Sequence, residues 1–233
     1  MTYLVNIIRR DLQSIRTINA SFVTDHASKR EIYKLRYDVM ARNKSIFPPN
    51  HYCIRNGDEF RDNYDDEPST KHFLVRKNGV AVASCRLLNG NLVPFEIEKY
   101  NWFTIPNKQN NNIVEPTRVV ACKSIQGSYI APYMLTQCLL DIYDSKYDNI
   151  LGLVNADALH LIQHYQRFMP SLKQVSSTKF GVNEFINGRN CHAFLLKIGE
   201  SDEERKRYVY NTLLPCFLLY KSMYVRDALK RSL

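Results

Sequence analysis

The chain has 233 residues and a formal net charge of +9, with 32 Lys and Arg against 23 Asp and Glu. Hydrophobic residues make up 45% and charged residues 24%, which excludes a disordered chain and leaves interior enough for a full core. No apolar run reaches the roughly 18 residues of a membrane span, and the opening MTYLVNIIRRDLQ mixes acid and base without the apolar stretch of a secretory leader.

Residues 28–42, SKREIYKLRYDVMAR, space Ile32, Leu35, Val39 and Met40 as one face of a helix. Ser28 and Glu31 have the spacing of a capping box, and Pro48-Pro49-Asn50 stops any continuation. Residues 71–88 alternate around Asn78-Gly79, the preferred pair for a tight type I′ hairpin. IVEPTRVVA (113–121) reads as a further strand, with a bulge or an edge expected at Pro116. CKSIQGSY (122–129) is a polar turn, followed by a helix that tolerates Pro132 near its start. DNILGLVN (148–155) predicts a buried strand and ADALHLIQHYQRF (156–168) an amphipathic helix. LKQVSST (172–178) and HAFLLKI (192–198) predict two closing strands around a loop with Asn187-Gly188. The tail predicts a long helix capped by Ser201 with Glu204 and kinked at Pro215. This order predicts an α/β fold, a sheet of mixed direction with helices on both faces and no linker.

Six cysteines stand at 53, 85, 122, 138, 191 and 216, none in C-x-x-C, and read as reduced thiols of a cytoplasmic chain. His160 and His164 are four apart, but Leu161 replaces the glutamate of a metalloprotease motif, so no metal is expected. The 15 tyrosines lack an accompanying nucleic-acid motif, so no nucleic acid is expected. The positive charge itself suits nucleic acid, an anionic membrane or an acidic protein without choosing among them.

Charged residues gather in three places. Asp58, Glu59, Arg61, Asp62, Asp65 and Asp66 precede the hairpin, Arg86 sits in its second strand, and Glu115 and Arg118 lie three apart in the next strand. A charge within an apolar strand is not buried without a partner. A salt-bridge network, solvent-facing edge positions and a polar site all satisfy that rule.

The series Leu35-Arg36-Tyr37-Asp38-Val39, Asp62-Asn63-Tyr64-Asp65, Arg86-Leu87-Leu88 and Glu115-Pro116-Thr117-Arg118 resembles the acyl-homoserine-lactone (autoinducer) synthases. It is similar also to the long-chain N-acyl amino acid synthases, and both belong to the GNAT superfamily of acyltransferases. The motifs agree from residue 30 to residue 120, and the order of elements agrees from there to residue 200.

The resemblance implies a GNAT-like, mixed and largely antiparallel sheet. Residues 1–200 would form the acyltransferase domain, and residues 201–233 a C-terminal helical extension packed on it. It implies acyl transfer from a thioester to an amine, with Glu115 as base and Arg86 and Arg118 beside it in the catalytic group. Arg36, Asp62, Asp65 and Thr117 would bind the acceptor. Gln126, Gly127, Ser128 and Tyr129 would hold the acyl-phosphopantetheine of an acyl carrier protein or of coenzyme A. The single glycine of that turn and the charge of +9 favour an acidic carrier. No permanently bound cofactor and no covalent enzyme intermediate are implied. The lactone synthases usually show an aromatic residue at Met40, and the only tryptophan is Trp102. Both departures favour an amino acid as the acceptor over S-adenosylmethionine, which would make the product a quorum-sensing lactone. A catalytically silent GNAT-fold binding module is the reading from another class.

Overall fold

The computed structural model describes residues 2–41, 53–90, 95, 98, 112–125, 128–155, 163, 166, 172–176 and 191–232. In chain order these form α1 (Thr2–Gln13), β1 (Ile18–Val23), α2 (His26–Arg36) with a π turn at Tyr37–Ala41, β2 (Ile54–Arg55) and β3 (Glu59–Phe60). A 3₁₀ turn (Asn63–Asp66), β4 (Lys71–Lys77), β5 (Val80–Asn89), β6 (Ile113–Ala121) and a second 3₁₀ turn (Lys123–Ile125) follow. The remainder is α3 (Ile130–Asp144), β7 (Asn149–Asn155), β8 (Leu172–Ser176), β9 (Cys191–Lys197), α4 (Asp202–Tyr208), a π turn (Val209–Leu213) and α5 (Leu214–Ser232).

Among the described residues, seven strands make one sheet in the order β1-β4-β5-β6-β7-β9-β8, and β2 with β3 makes a small separate ribbon. The sheet is antiparallel except where β6 and β7 run parallel. That parallel ladder holds two pairs, Ile113 with Asn149 and Val114 with Ile150, and ends there although both strands run on.

The β4–β5 turn forms as its sequence dictates. Asn78 and Gly79 take φ of 51° and 80°, and Lys77 faces Val80 across two residues. Two irregularities then set which residues meet. A register shift between Val75 and Arg76 places His72 opposite Arg86. A second shift falls between Ser84 and Arg86 on β5, whose β6 partners are Val120 and Thr117. Arg118 and Val119 are therefore the bulged residues, with Arg118 at φ 50°.

Strand alternation divides the core between two faces. On one, α1, α3 and the C-terminal helices bury Ile8, Leu12, Phe73, Val75, Leu139 and Phe217, with others, in a single cluster. Each such side chain contributes about 1.5–3 kcal/mol by leaving water. On the other face, Ile32 and Tyr33 of α2 pack with Val23 and Leu74. Further along that face Leu88, Phe95, Ile113, Leu151 and Ala193 form a second apolar cluster. Buried Arg86 and Thr117, which face each other, lie between these two.

The chain differs from the sequence expectations at several points. α2 is capped by Asp25, whose carboxylate accepts from the Ser28 amide at 2.8 Å, and not by Ser28 with Glu31. The Ser28 hydroxyl instead accepts from Arg76, and Glu31 pairs with the same guanidinium. β6 is an interior strand, and its bulge falls at Arg118 rather than at Pro116. The tail is interrupted one turn before Pro215, where the π turn absorbs the missing amide. The Ser201–Glu204 capping box forms as expected. Most of the expected helix at 156–168, the Pro48-Pro49-Asn50 stop and the loop with Asn187-Gly188 lie outside the described residues.

Candidate active site

Four elements bring charge to one place. Arg36 is the last residue of α2, and Asp62 and Asp65 belong to the 3₁₀ turn. β5 supplies Arg86, and β6 supplies Glu115, Thr117 and Arg118. Arg86 faces Thr117 and Leu88 faces Glu115, so all four share the α2 face of the sheet, with Glu115 diagonal to Arg86. Arg36, Arg86, Asp62, Asp65, Glu115 and Thr117 are all buried.

The 3₁₀ turn is built by its own carboxylates. Asp62 accepts from the Tyr64 amide at 3.0 Å, and Asp65 accepts from the Asp62 amide at 2.9 Å, a reciprocal cap. The remaining oxygens take the arginines. Arg36 Nη1 donates to Asp65 Oδ1 at 2.7 Å, and Arg86 Nη1 lies 3.1 Å from that same oxygen while donating to Asp62 Oδ1. Arg118 Nη2 donates to Asp62 Oδ2 at 2.8 Å. Arg86 Nε donates to Thr117 Oγ1 at 2.9 Å, tying the cluster to β6. All four oxygens of the two aspartates thus accept from the protein.

Burial alone would raise both carboxyl groups. The guanidinium groups reverse that: Arg118 and Arg86 hold Asp62 below its ordinary value, and Arg36 and Arg86 hold Asp65 well below it. Burial pulls Arg36 down from its own ordinary value, with Asp65 opposing, and the group stays cationic.

His72 is the member that the sequence reading missed. It is buried, its Nε2 lies 3.4 Å from the Asp65 carbonyl oxygen, and its ring meets Tyr33 edge to face at 6.0 Å. Burial and then the Arg36 charge lower its pKa to about 4, so it is neutral near pH 7. In an unbroken two-residue hairpin Arg86 would face Lys71, and only the register shift brings it to His72. No local sequence signal marks that shift.

Of the residues expected to hold the donor, Gln126 and Gly127 lie outside the described residues. Ser128 Oγ accepts from the Ile130 amide at 3.3 Å, and Tyr129 is buried as the N-cap of α3. Both sit at the start of α3, where Tyr129 belongs to the main apolar cluster and meets Tyr224 edge to face, and neither is a member of the ion-paired network. His160, His164 and Trp102 also lie outside the described residues. Among the described ones, no three of His, Cys, Asp or Glu group to hold a metal ion.

No family model and no curated protein matches the chain. Solved structures do. FeeM, an N-acyl amino acid synthase from uncultured soil microbes, is 11% identical over 86% of this chain and 96% of its own, with a TM-score of 0.56. MesI, a CoA-dependent acyl-homoserine lactone synthase, is 16% identical over 82% and 95%, with a TM-score of 0.58. BjaI, a CoA-dependent acyl-homoserine lactone synthase solved with SAM and isopentyl-CoA, is 13% identical over 83% and 88%, with a TM-score of 0.56. At these identities the likeness is one of fold: the chain has the mixed, largely antiparallel GNAT fold with helices on both faces.

Proposed function

We propose that this chain is an N-acyltransferase that moves a fatty acyl group from an acyl-carrier-protein thioester to the amino group of an amino acid or a related amine. One observation carries the reading. Within a fold shared with acyltransferases, the interlocked Arg36, Asp65, Arg86, Asp62 and Arg118 lie on the same sheet face as Glu115, where the β6–β7 ladder ends.

The chemistry suits those residues. The amine nitrogen attacks the thioester carbonyl, a C–N bond forms, the C–S bond breaks and the sulfur departs as a thiolate that takes up a proton. Glu115 accepts the proton that the amine loses, directly or through water. Arg86 and Arg118 set positive charge beside the developing oxyanion. Arg36, Asp62, Asp65 and Thr117 form the acceptor wall, in which the aspartates hold the guanidinium groups in fixed directions. In this reading Gln126, Gly127, Ser128 and Tyr129, ahead of α3, hold the phosphopantetheine near the helix N-terminus. The net charge of +9 supports docking of an acidic carrier. Among the described residues no helix is long and apolar enough to cross a membrane. The reading places the reaction in the cytoplasm, where an acyl-carrier thioester would be met.

A second reading is acyl-homoserine-lactone synthesis from S-adenosylmethionine, favoured by the comparable likeness to MesI and BjaI. Mass spectrometry of lipids from cells producing the chain separates the two. N-acyl amino acids support the first reading, acyl lactones the second, and neither product rejects both. The donor is tested by presenting one acyl chain on carrier protein and on coenzyme A. The carrier form is expected to give the higher kcat/KM and to lose that lead as salt shortens the Debye length from about 10 Å at 0.1 M to about 3 Å at 1 M. Equal kcat/KM at every salt concentration would reject the carrier.

A further inference from the structure

On the sheet face opposite the charged cluster, α1 and α5 are joined by an ion pair, with Lys221 Nζ 2.8 Å from Asp11 Oδ2. Large apolar side chains point to solvent on both sides of it. On α5, Leu218 stands three residues before Lys221 and Val225 four after it, 55% and 51% exposed, and Leu229 follows one turn on at 61%. On α1, Ile7 stands four residues before Asp11 and Tyr3 eight before it, 42% and 80% exposed. Residues three or four apart on a helix share a face, so both sets border the ion pair and form one apolar ridge over two helices.

Scattered exposed apolar residues need no explanation, but a contiguous set does. The inner face of α5 is already occupied by packing: Tyr220 and Tyr224 meet Tyr129 and Tyr133 of the α3 region, and Phe217 joins the main cluster. The outer ridge is therefore surplus to the fold. Its charge chooses the occupant. The two helices carry six cationic residues, Arg9, Arg10, Lys221, Arg226, Lys230 and Arg231, against two acidic ones, Asp11 and Asp227. Both acids are ion-paired, with Lys221 and Arg226. A second copy pressed ridge to ridge would set these cations against their like. An exposed apolar ridge edged by Lys and Arg has the make-up of a helix that lies in a lipid interface.

We propose that the α1–α5 ridge docks the protein on an anionic lipid surface, with Tyr3, Ile7, Leu218, Val225 and Leu229 entering the headgroup region and Arg10, Arg226 and Lys230 meeting lipid phosphates. This assignment is independent of the acyl-transfer reading.

The test is sedimentation with phosphatidylcholine vesicles, with and without phosphatidylglycerol, using the full chain. Binding is expected to the anionic vesicles alone and to weaken with salt. The triple variant L218S/V225S/L229S, shown to be folded by an unchanged thermal transition, is expected to bind at least about tenfold more weakly. The pair R226Q/K230Q, which leaves the apolar ridge intact, is expected to weaken binding to anionic vesicles as well. Failure of the parent chain to bind, or equal binding by the triple variant, overturns the proposal. So does a parent dimer in sedimentation equilibrium that the triple variant dissociates, since the ridge would then be a self-association face. Indifference to vesicles, with the triple variant losing kcat/KM for a carrier-linked donor, would assign the ridge to a carrier protein instead.

Discussion

Arg118 reaches Asp62 with a 2.8 Å ion pair from a backbone held at φ 50°, in the left-handed region that a non-glycine residue rarely occupies. The strain falls at the β6 bulge, and the contact it permits joins β6 to the 3₁₀ turn. A left-handed residue with a Cβ costs about 1–2 kcal/mol. Arg118→Gly is therefore expected to be more stable in urea than Arg118→Ala by about 1 kcal/mol, although both lose the ion pair. Acyl transfer should fall alike in both. Equal stability of the two variants would show that the backbone at this bulge is unstrained.

Asp65 compensates two buried guanidinium groups at once. Asp65→Asn leaves Arg36 and Arg86 short of negative charge and is expected to cost about 3–5 kcal/mol by chemical denaturation. The pH dependence follows from the depressed carboxyl values. A carboxyl group more acidic in the folded chain contributes stability that is fully present above its unfolded value of 3.8 and is lost as pH falls below it. The parent should therefore lose stability below about pH 4 more steeply than the variant. Parallel acid limbs would contradict this role for Asp65.

His72 acts in a higher window. Its pKa falls from 6.5 in the unfolded chain to about 4 in the folded one, so the unfolded state binds the proton first as pH drops. Stability is complete above 6.5 and declines until about 4, by up to about 3 kcal/mol. Asp141, raised chiefly by burial to about 6, works the other way over part of that range. The readout is therefore the difference between the parent and His72→Gln. That difference should change between pH 6.5 and 4 and be flat above about 7. A flat difference throughout would show that His72 does not titrate as described.

How much of this could be read from the sequence depends on whether the information was local. The Asn78-Gly79 turn, β6, β7 and the Ser201–Glu204 cap follow from adjacent residues, and the structure has them. α1 stands outside the sequence reading although Val5, Ile8 and Leu12 have helical spacing, so its signal is legible. β1 is legible in the same way, since Ile18, Ala20 and Phe22 alternate with Asn19 and Ser21 in INASFV. The Asp25 cap was concealed because Ser28 and Glu31 have the right spacing too and are drawn off by Arg76. Within the site, Arg36, Asp62, Asp65, Arg86, Thr117 and Arg118 do meet. His72 was not legible because a register shift, set by packing across the sheet, decides what Arg86 faces.

Tyr220 offers a test of the core rather than the site. It is fully buried among Tyr129, Tyr133, Phe217 and Tyr224, and its hydroxyl has no hydrogen-bond partner among the described residues. Removing an unsatisfied buried hydroxyl is neutral or favourable. Tyr220→Phe is expected to match or exceed the parent's melting temperature, whereas Tyr220→Ala should lose about 3–5 kcal/mol. A loss of more than about 1 kcal/mol in Tyr220→Phe would mean that the hydroxyl is bonded in solution.

The most direct measurement compares the parent with Glu115→Gln in a purified assay of amide formation from an acyl-carrier thioester and an amine, alongside the thermal transition of each. Glu115 is buried on β6 opposite Leu88 and diagonal to Arg86, and glutamine keeps its shape while removing its capacity to accept a proton. The expected result is a fall in kcat of about 10²-fold or more with a small change in melting temperature. Amide formation by Glu115→Gln at the parent's rate would contradict the proposed mechanism.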